Sequence, residues 1–85
     1  MDPVKPKRIS RKTRQQAALI CDVAASSDSF HGYGSITMAI DASPNALYLA
    51  CAAYLYATSK ARVDNGQNAH DAEAAQLIRE GWSPR

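Results

Sequence analysis

The stretch from Ser43 to Arg62 reads SPNALYLACAAYLYATSKAR, and its reading decides the fold. Its first two residues mark a helix start. Serine caps free backbone N–H groups, and proline suits the first helical position, where its missing N–H costs nothing. Ala46 to Ala57 then form an uncharged run of twelve residues. That is too short to span a bilayer. It fits a helix that is apolar almost all round, which predicts a central, buried position. Ala46, Ala50, Ala53 and Ala57 share one face of it at helical spacing. Small side chains allow a close neighbour, either the first helix or the same helix of a second copy, so a homodimer seam through these alanines is one expectation. The helix should cover about 44–62, with Lys60 and Arg62 complementing its negative end.

Outward from this element, a first helix over about 10–26 starts at Ser10, a good N-cap. Ala17, Ile20, Ala24 and Ser27 share its apolar face, with Leu19 and Val23 beside it, whereas its first two turns are polar and basic. Cations at a helix N-terminus oppose the macrodipole, a conflict that a bound anion would relieve and that salt would screen. Residues 26–35 read as a loop rich in serine and glycine, pinned to the core by Phe30 and Tyr33. Ile36, Met38 and Ile40 alternate as in a strand, but no second strand is evident, so a short helix near 36–42 capped by Ser35 is expected. Asn65-Gly66 marks a turn.

A last helix over about 69–80 follows, with Asn68 as N-cap and Asp71 and Glu73 near its positive end. Its apolar stripe is Ala74, Leu77 and Ile78. Gly81 should stop it in a left-handed conformation, with Trp82 folding back on Leu77 or Ile78. Pro3 and Pro6 keep residues 1–9 out of a helix, as a basic arm. The expected architecture is one all-α domain over 10–85, a small bundle of three main helices with a short fourth.

The 85 residues carry a net charge of only +2, unevenly placed. Lys5, Lys7, Arg8, Arg11, Lys12 and Arg14 face a single acid, Asp2, in the first sixteen residues, a net of +5. The remainder holds four cations against seven acids, a net of −3. A basic head on a mildly acidic body suits contact with nucleic acid, another polyanion or an acidic protein surface, and equally a solvated tail. Phosphate contacts of this kind bind without reading sequence.

A second candidate is a protein-docking face built from Tyr48, Tyr54, Tyr56 and Trp82, because these rings bury large area while keeping a polar tip. With the acidic last helix, this would suit an adaptor or a small inhibitor of a larger, nucleic-acid-handling complex. The bland alternative is packing at the core edge.

Three sharper chemistries are weighed and set aside. Ile36, Ile40, Ala42, Leu47 and Ala50 match helix-turn-helix spacing, but Thr37 and Asp41 replace the usual small residues. The would-be recognition helix also lacks arginine, lysine and glutamine, leaving Asn45 and Tyr48 to reach bases. Cys21, His31, Cys51 and His70 match no compact zinc pattern, so no metal or cofactor is expected. Asp28, His31 and nearby serines lack any recognised nucleophile motif, so no enzymatic activity is expected. The basic N-terminus is followed by no apolar run of signal-peptide type, and Cys21 and Cys51 read as reduced core thiols, both consistent with a cytoplasmic regulatory or binding protein.

Overall fold

The computed structural model describes residues 9–26, 32–60 and 67–84, apart from the side chains of Gln67 and Asn68. Among them the chain is all-α, with α1 (Arg11–Ser26), α2 (Tyr33–Ala39), α3 (Pro44–Ser59) and α4 (Gln67–Arg79). The central helices α1 and α3 each pack against all three others, while the backbones of α2 and α4 lie apart.

The expected starts of α1 and α3 are realised by their side chains. Ser10 Oγ accepts from Thr13 N–H at 3.1 Å, and Ser43 Oγ accepts from Ala46 N–H at 3.1 Å with Pro44 at the first helical position. At the other end of the chain, Gly81 adopts φ +100°, and two reverse bonds close α4: Gly81 N–H to the Ile78 carbonyl and Trp82 N–H to the Leu77 carbonyl. This pair is the Schellman arrangement that a left-handed glycine permits.

The short helix lies earlier than the sequence suggested. It begins at Tyr33 behind Gly32, so Ser35 is inside it rather than capping it. Gly32 has φ +82° and ψ 150°, a conformation only glycine adopts readily. The helix ends because Asp41 turns left-handed at φ +56°. Asp41 N–H then bonds the Met38 carbonyl and Ala42 N–H the Thr37 carbonyl, a second Schellman closure with aspartate in the glycine position. The alternation of Ile36, Met38 and Ile40 is therefore not a strand: Ile36 is buried and Met38 points to solvent. Similarly, α4 begins at Gln67, which puts Asn68 inside the helix instead of at its cap. The turn at Asn65-Gly66 and residues 61–62 lie outside the described residues, as do Phe30 and His31. Ile9, placed in the arm by its sequence, packs on the core.

The core contains few large side chains. Ile20, Leu49 and Ile78 are its largest fully buried aliphatic groups, and most of the rest is alanine from α1, α3 and α4. The small side chains that make up most of the core let the helix axes approach closely, so backbone-near dispersion contacts partly replace the burial of large groups.

This geometry corrects the expectation for α3. Its alanine face (Ala46, Ala50, Ala53, Ala57) has no exposed surface and is covered within the chain, which leaves no area for a homodimer seam there. The helix is not buried all round: its opposite side is open.

Two substitutions test these features in chemical denaturation. Asp41→Gly should raise stability by about 1 kcal/mol, because it removes the cost of a β-carbon in the left-handed region. Ala53→Leu should lower it by roughly 1–3 kcal/mol through overpacking.

Candidate functional site

The open side of α3 is the most unusual surface of the molecule. Tyr48 and Leu55 are 67% and 65% exposed and lie on one side with half-buried Cys51 and Ala52. No charged side chain occurs anywhere from Pro44 to Ser59. The usual polarity of a surface helix is thus inverted, with small side chains inward and large apolar ones outward. Met38 of α2 is exposed as well, at 82%. Large exposed apolar groups gathered on one element mark an interaction surface more often than isolated ones do.

The four aromatic candidates do not act together. Tyr48 is free at the surface. Tyr54 is half-buried, edge-on to Tyr33 at 5.8 Å between ring centroids and to His70 at 6.3 Å, so it serves the core edge. Tyr56 and Trp82 pack on each other at 5.3 Å with a tilt of 32°, and the Lys60 ammonium sits 5.3 Å from the Tyr56 ring centre. Trp82 folds back onto the core as expected, held between α4 and Tyr56.

The basic candidates divide in a similar way. Lys5, Lys7 and Arg8 lie outside the described residues. Arg11 and Lys12 are exposed in the first turn of α1. Arg14, by contrast, reaches across to the C-terminus of α4. One guanidinium nitrogen donates to the Ile78 carbonyl at 3.0 Å and to the Trp82 carbonyl at 2.7 Å, and the other to Ser83 Oγ at 3.1 Å. For Arg14, the negative end of a neighbouring helix supplies what a bound anion was expected to supply. It is a residue of α1 that caps the C-terminal end of α4. Arg11, Arg14, Gln15, Ala18, Leu19 and Arg79 line an open groove of about 600 Å³ between α1 and α4. Leu19, expected beside the apolar face, points into this groove and is 44% exposed. Arg79 is held by Asp22, which raises its pKa.

One buried polar cluster escaped sequence reasoning. Asp71, expected near the positive end of α4, is fully buried. The Tyr33 hydroxyl donates to its carboxylate, and the Cys21 thiol lies 3.8 Å from that hydroxyl and 3.9 Å from the Ala50 carbonyl. The cluster bridges α2 to α4 across α1 and α3, where the backbones do not meet. Burial pushes the Cys21 thiol up to about 12, with the Tyr33 hydrogen bond partly opposing this. Burial, and then the bond to Asp71, carry the Tyr33 hydroxyl well above its ordinary value. A signal for Asp71 was present: positions 71, 74, 75 and 78 form one continuous helical stripe, so the aspartate shares the face of Ala74 and Ile78.

Cys21 and Cys51 are both free thiols, but only Cys21 belongs to the core. Cys51 is half-buried on the outer side of α3, with its pKa raised by burial. Among the described residues, no three potential metal ligands gather and no helix is long and apolar enough to cross a membrane. The helix-turn-helix spacing is realised as α2, a turn and α3, yet the outward side of α3 is apolar where base-reading side chains would be needed. Comparison of the chain with family models, curated proteins and solved structures finds no match.

Two outcomes follow from this geometry. Arg14→Ala should destabilise the fold by about 2 kcal/mol, since several hydrogen bonds from a charged group are lost, whereas Arg11→Ala should be nearly neutral. The Cys21 thiol ionises near its ordinary value of 9.0 in the unfolded chain and near 12 in the folded one. Its contribution is therefore complete below about 9 and lost as pH rises toward 12. Thermal midpoints should fall over that alkaline range, and less steeply in a Cys21→Ala chain.

Proposed function

We propose that this chain is a small non-catalytic docking module that engages a protein surface through the outward side of α3. The observation that carries this role is the inverted polarity of α3, with Tyr48 and Leu55 turned to solvent on an uncharged helix. A helix placed only to complete a fold would gain nothing by exposing its largest apolar groups. Set against an apolar partner, the same groups become buried anchors. Two free thiols fit a reducing compartment such as the cytoplasm.

A second role, contact with a nucleic acid or another polyanion, draws on a different surface. Arg11 lines the α1–α4 groove, Lys12 is exposed beside it in the first turn of α1, and Lys5, Lys7 and Arg8 precede them in the chain. The commitment of Arg14 and Arg79 to internal partners weakens this surface relative to its count of cations. The two roles are compatible, as in an adaptor or inhibitor that docks on a nucleic-acid-handling complex.

The roles separate in one binding experiment. Tagged wild-type chain, a Tyr48→Asp/Leu55→Asp chain and an Arg11→Glu/Lys12→Glu chain are compared for retention of cell proteins, and for binding of duplex and single-stranded nucleic acid, at low and high salt. Protein retention that survives salt and disappears with the α3 substitutions is the expected result. Retention that ignores those substitutions but is abolished by salt and by charge reversal would overturn the docking role in favour of the polyanion, whose binding weakens as counterions are released.

A further inference from the structure

The outward side of α3 has a pattern more specific than exposure. Pro44, Tyr48, Cys51, Leu55 and Thr58 recur in alternating steps of four and three residues. That 3.5-residue spacing is the seam of one helix packed lengthwise on another. The seam carries no charge, so a charged partner face would lose hydration without gaining an ionic contact. An uncharged, apolar face complements it, and among the described residues the chain presents such a face on α3 itself.

Tyr48 and Leu55 lie at equal distances along the helix from the point between Cys51 and Ala52. Turned antiparallel about the midpoint between Cys51 and Ala52, two copies of α3 set Tyr48 of each opposite Leu55 of the other. Cys51 then lies opposite Ala52, and Pro44 opposite Ser59. The small residues fall at the centre, where the helix axes approach most closely, and the large ones fall toward each end. The charges that bracket the helix also complement one another. Asp41 precedes α3 and Lys60 follows it, both exposed. The antiparallel register brings Asp41 of each copy within a turn of the other's Lys60, whose ammonium already holds Glu73 at 3.0 Å and has further donors. A parallel pair would set like charges and like helix ends together.

We propose that a second copy of this chain docks on α3, forming a two-fold antiparallel dimer with Tyr48 against Leu55 as its repeated contact. This rests on the docking role of the same face. An isologous interface of this kind uses one patch twice, so a single substitution alters both halves. With a seam of about four turns the association is modest and concentration-dependent.

Sedimentation equilibrium of the full chain tests the pairing, and a mixing experiment tests the register. The Tyr48→Lys and Leu55→Glu chains should each dimerise about tenfold or more weakly than wild type, since a charge is buried against an apolar group. Both should keep the wild-type circular dichroism, and the wild-type thermal midpoint at concentrations where the wild type is monomeric, because both side chains are mostly exposed in one copy. Mixed in equal amounts, they should recombine as a heterodimer, since one contact then pairs ammonium with carboxylate and the other is native. A wild-type chain that stays monomeric at every concentration overturns the proposal. So does a dimer that both substitutions leave intact, or a mixture that fails to recombine. If the chain is monomeric yet the Tyr48 and Leu55 substitutions still abolish protein retention, the face docks a different protein, and only the self-pairing falls. If retention is also unaffected, the docking role falls with it.

Discussion

The close approach of helices along the alanine face of α3 is the constraint on which the rest of the structure depends. Ala46, Ala50, Ala53 and Ala57 have no exposed surface, and α1 and α4 meet α3 with small side chains of their own. A core made this way contains little volume per residue, so large groups must find places elsewhere. Ile20, Leu49 and Ile78 fill the few sites inside. Tyr48 and Leu55 are left on the opposite side of α3, where they are mostly exposed among the described residues. The exposed apolar side of α3 is thus a consequence of how the core is built, because the small-residue side of this 16-residue helix admits only Leu49 among its large residues.

Two polar ties hold this shallow bundle in register, and both act at long sequence separation. Arg14 joins the start of α1 to the last carbonyls of α4, so a cation that opposes its own helix dipole satisfies the end of another. The Tyr33 hydroxyl joins α2 to the buried Asp71 of α4. Such bonds are strong because they are charge-assisted, and that to Asp71 is specific because leaving the buried carboxylate without this donor would be costly. Their positions explain why a basic segment and an acidic helix start, which look like interaction sites when read as composition, contribute partly to internal order.

Much of the fold was legible locally. Ser10, Ser43-Pro44 and Gly81 each act through their own backbone neighbourhood, and each sits where its chemistry predicts. The short helix was misplaced by three residues because Gly32 and Asp41 both adopt positive φ, and aspartate announces that conformation far less clearly than glycine. The candidate site was less legible. Tyr48 emerged as one of three tyrosines on a helix, Tyr54 proved to be a core-edge ring, and Asp71 was read only for its place near a helix start although its helical stripe is apolar.

By itself the sequence determined the elements: four helical segments, the starts of α1 and α3 and the stop of α4, an uncharged third helix with small residues on one side, and a concentration of cations at the chain's start. These follow from interactions within a few residues of each position. The tertiary structure alone decided which side of each helix was used. Hydrophobic periodicity cannot say whether α3 buries its alanines or its tyrosines and leucines, since both faces are apolar. The choice depends on how closely α1 and α4 approach, and therefore on side chains far away in the chain. The same reason hid the roles of Arg14 and Asp71: a charge is a surface group or a structural tie according to what stands opposite it, and that is settled only when the helices pack.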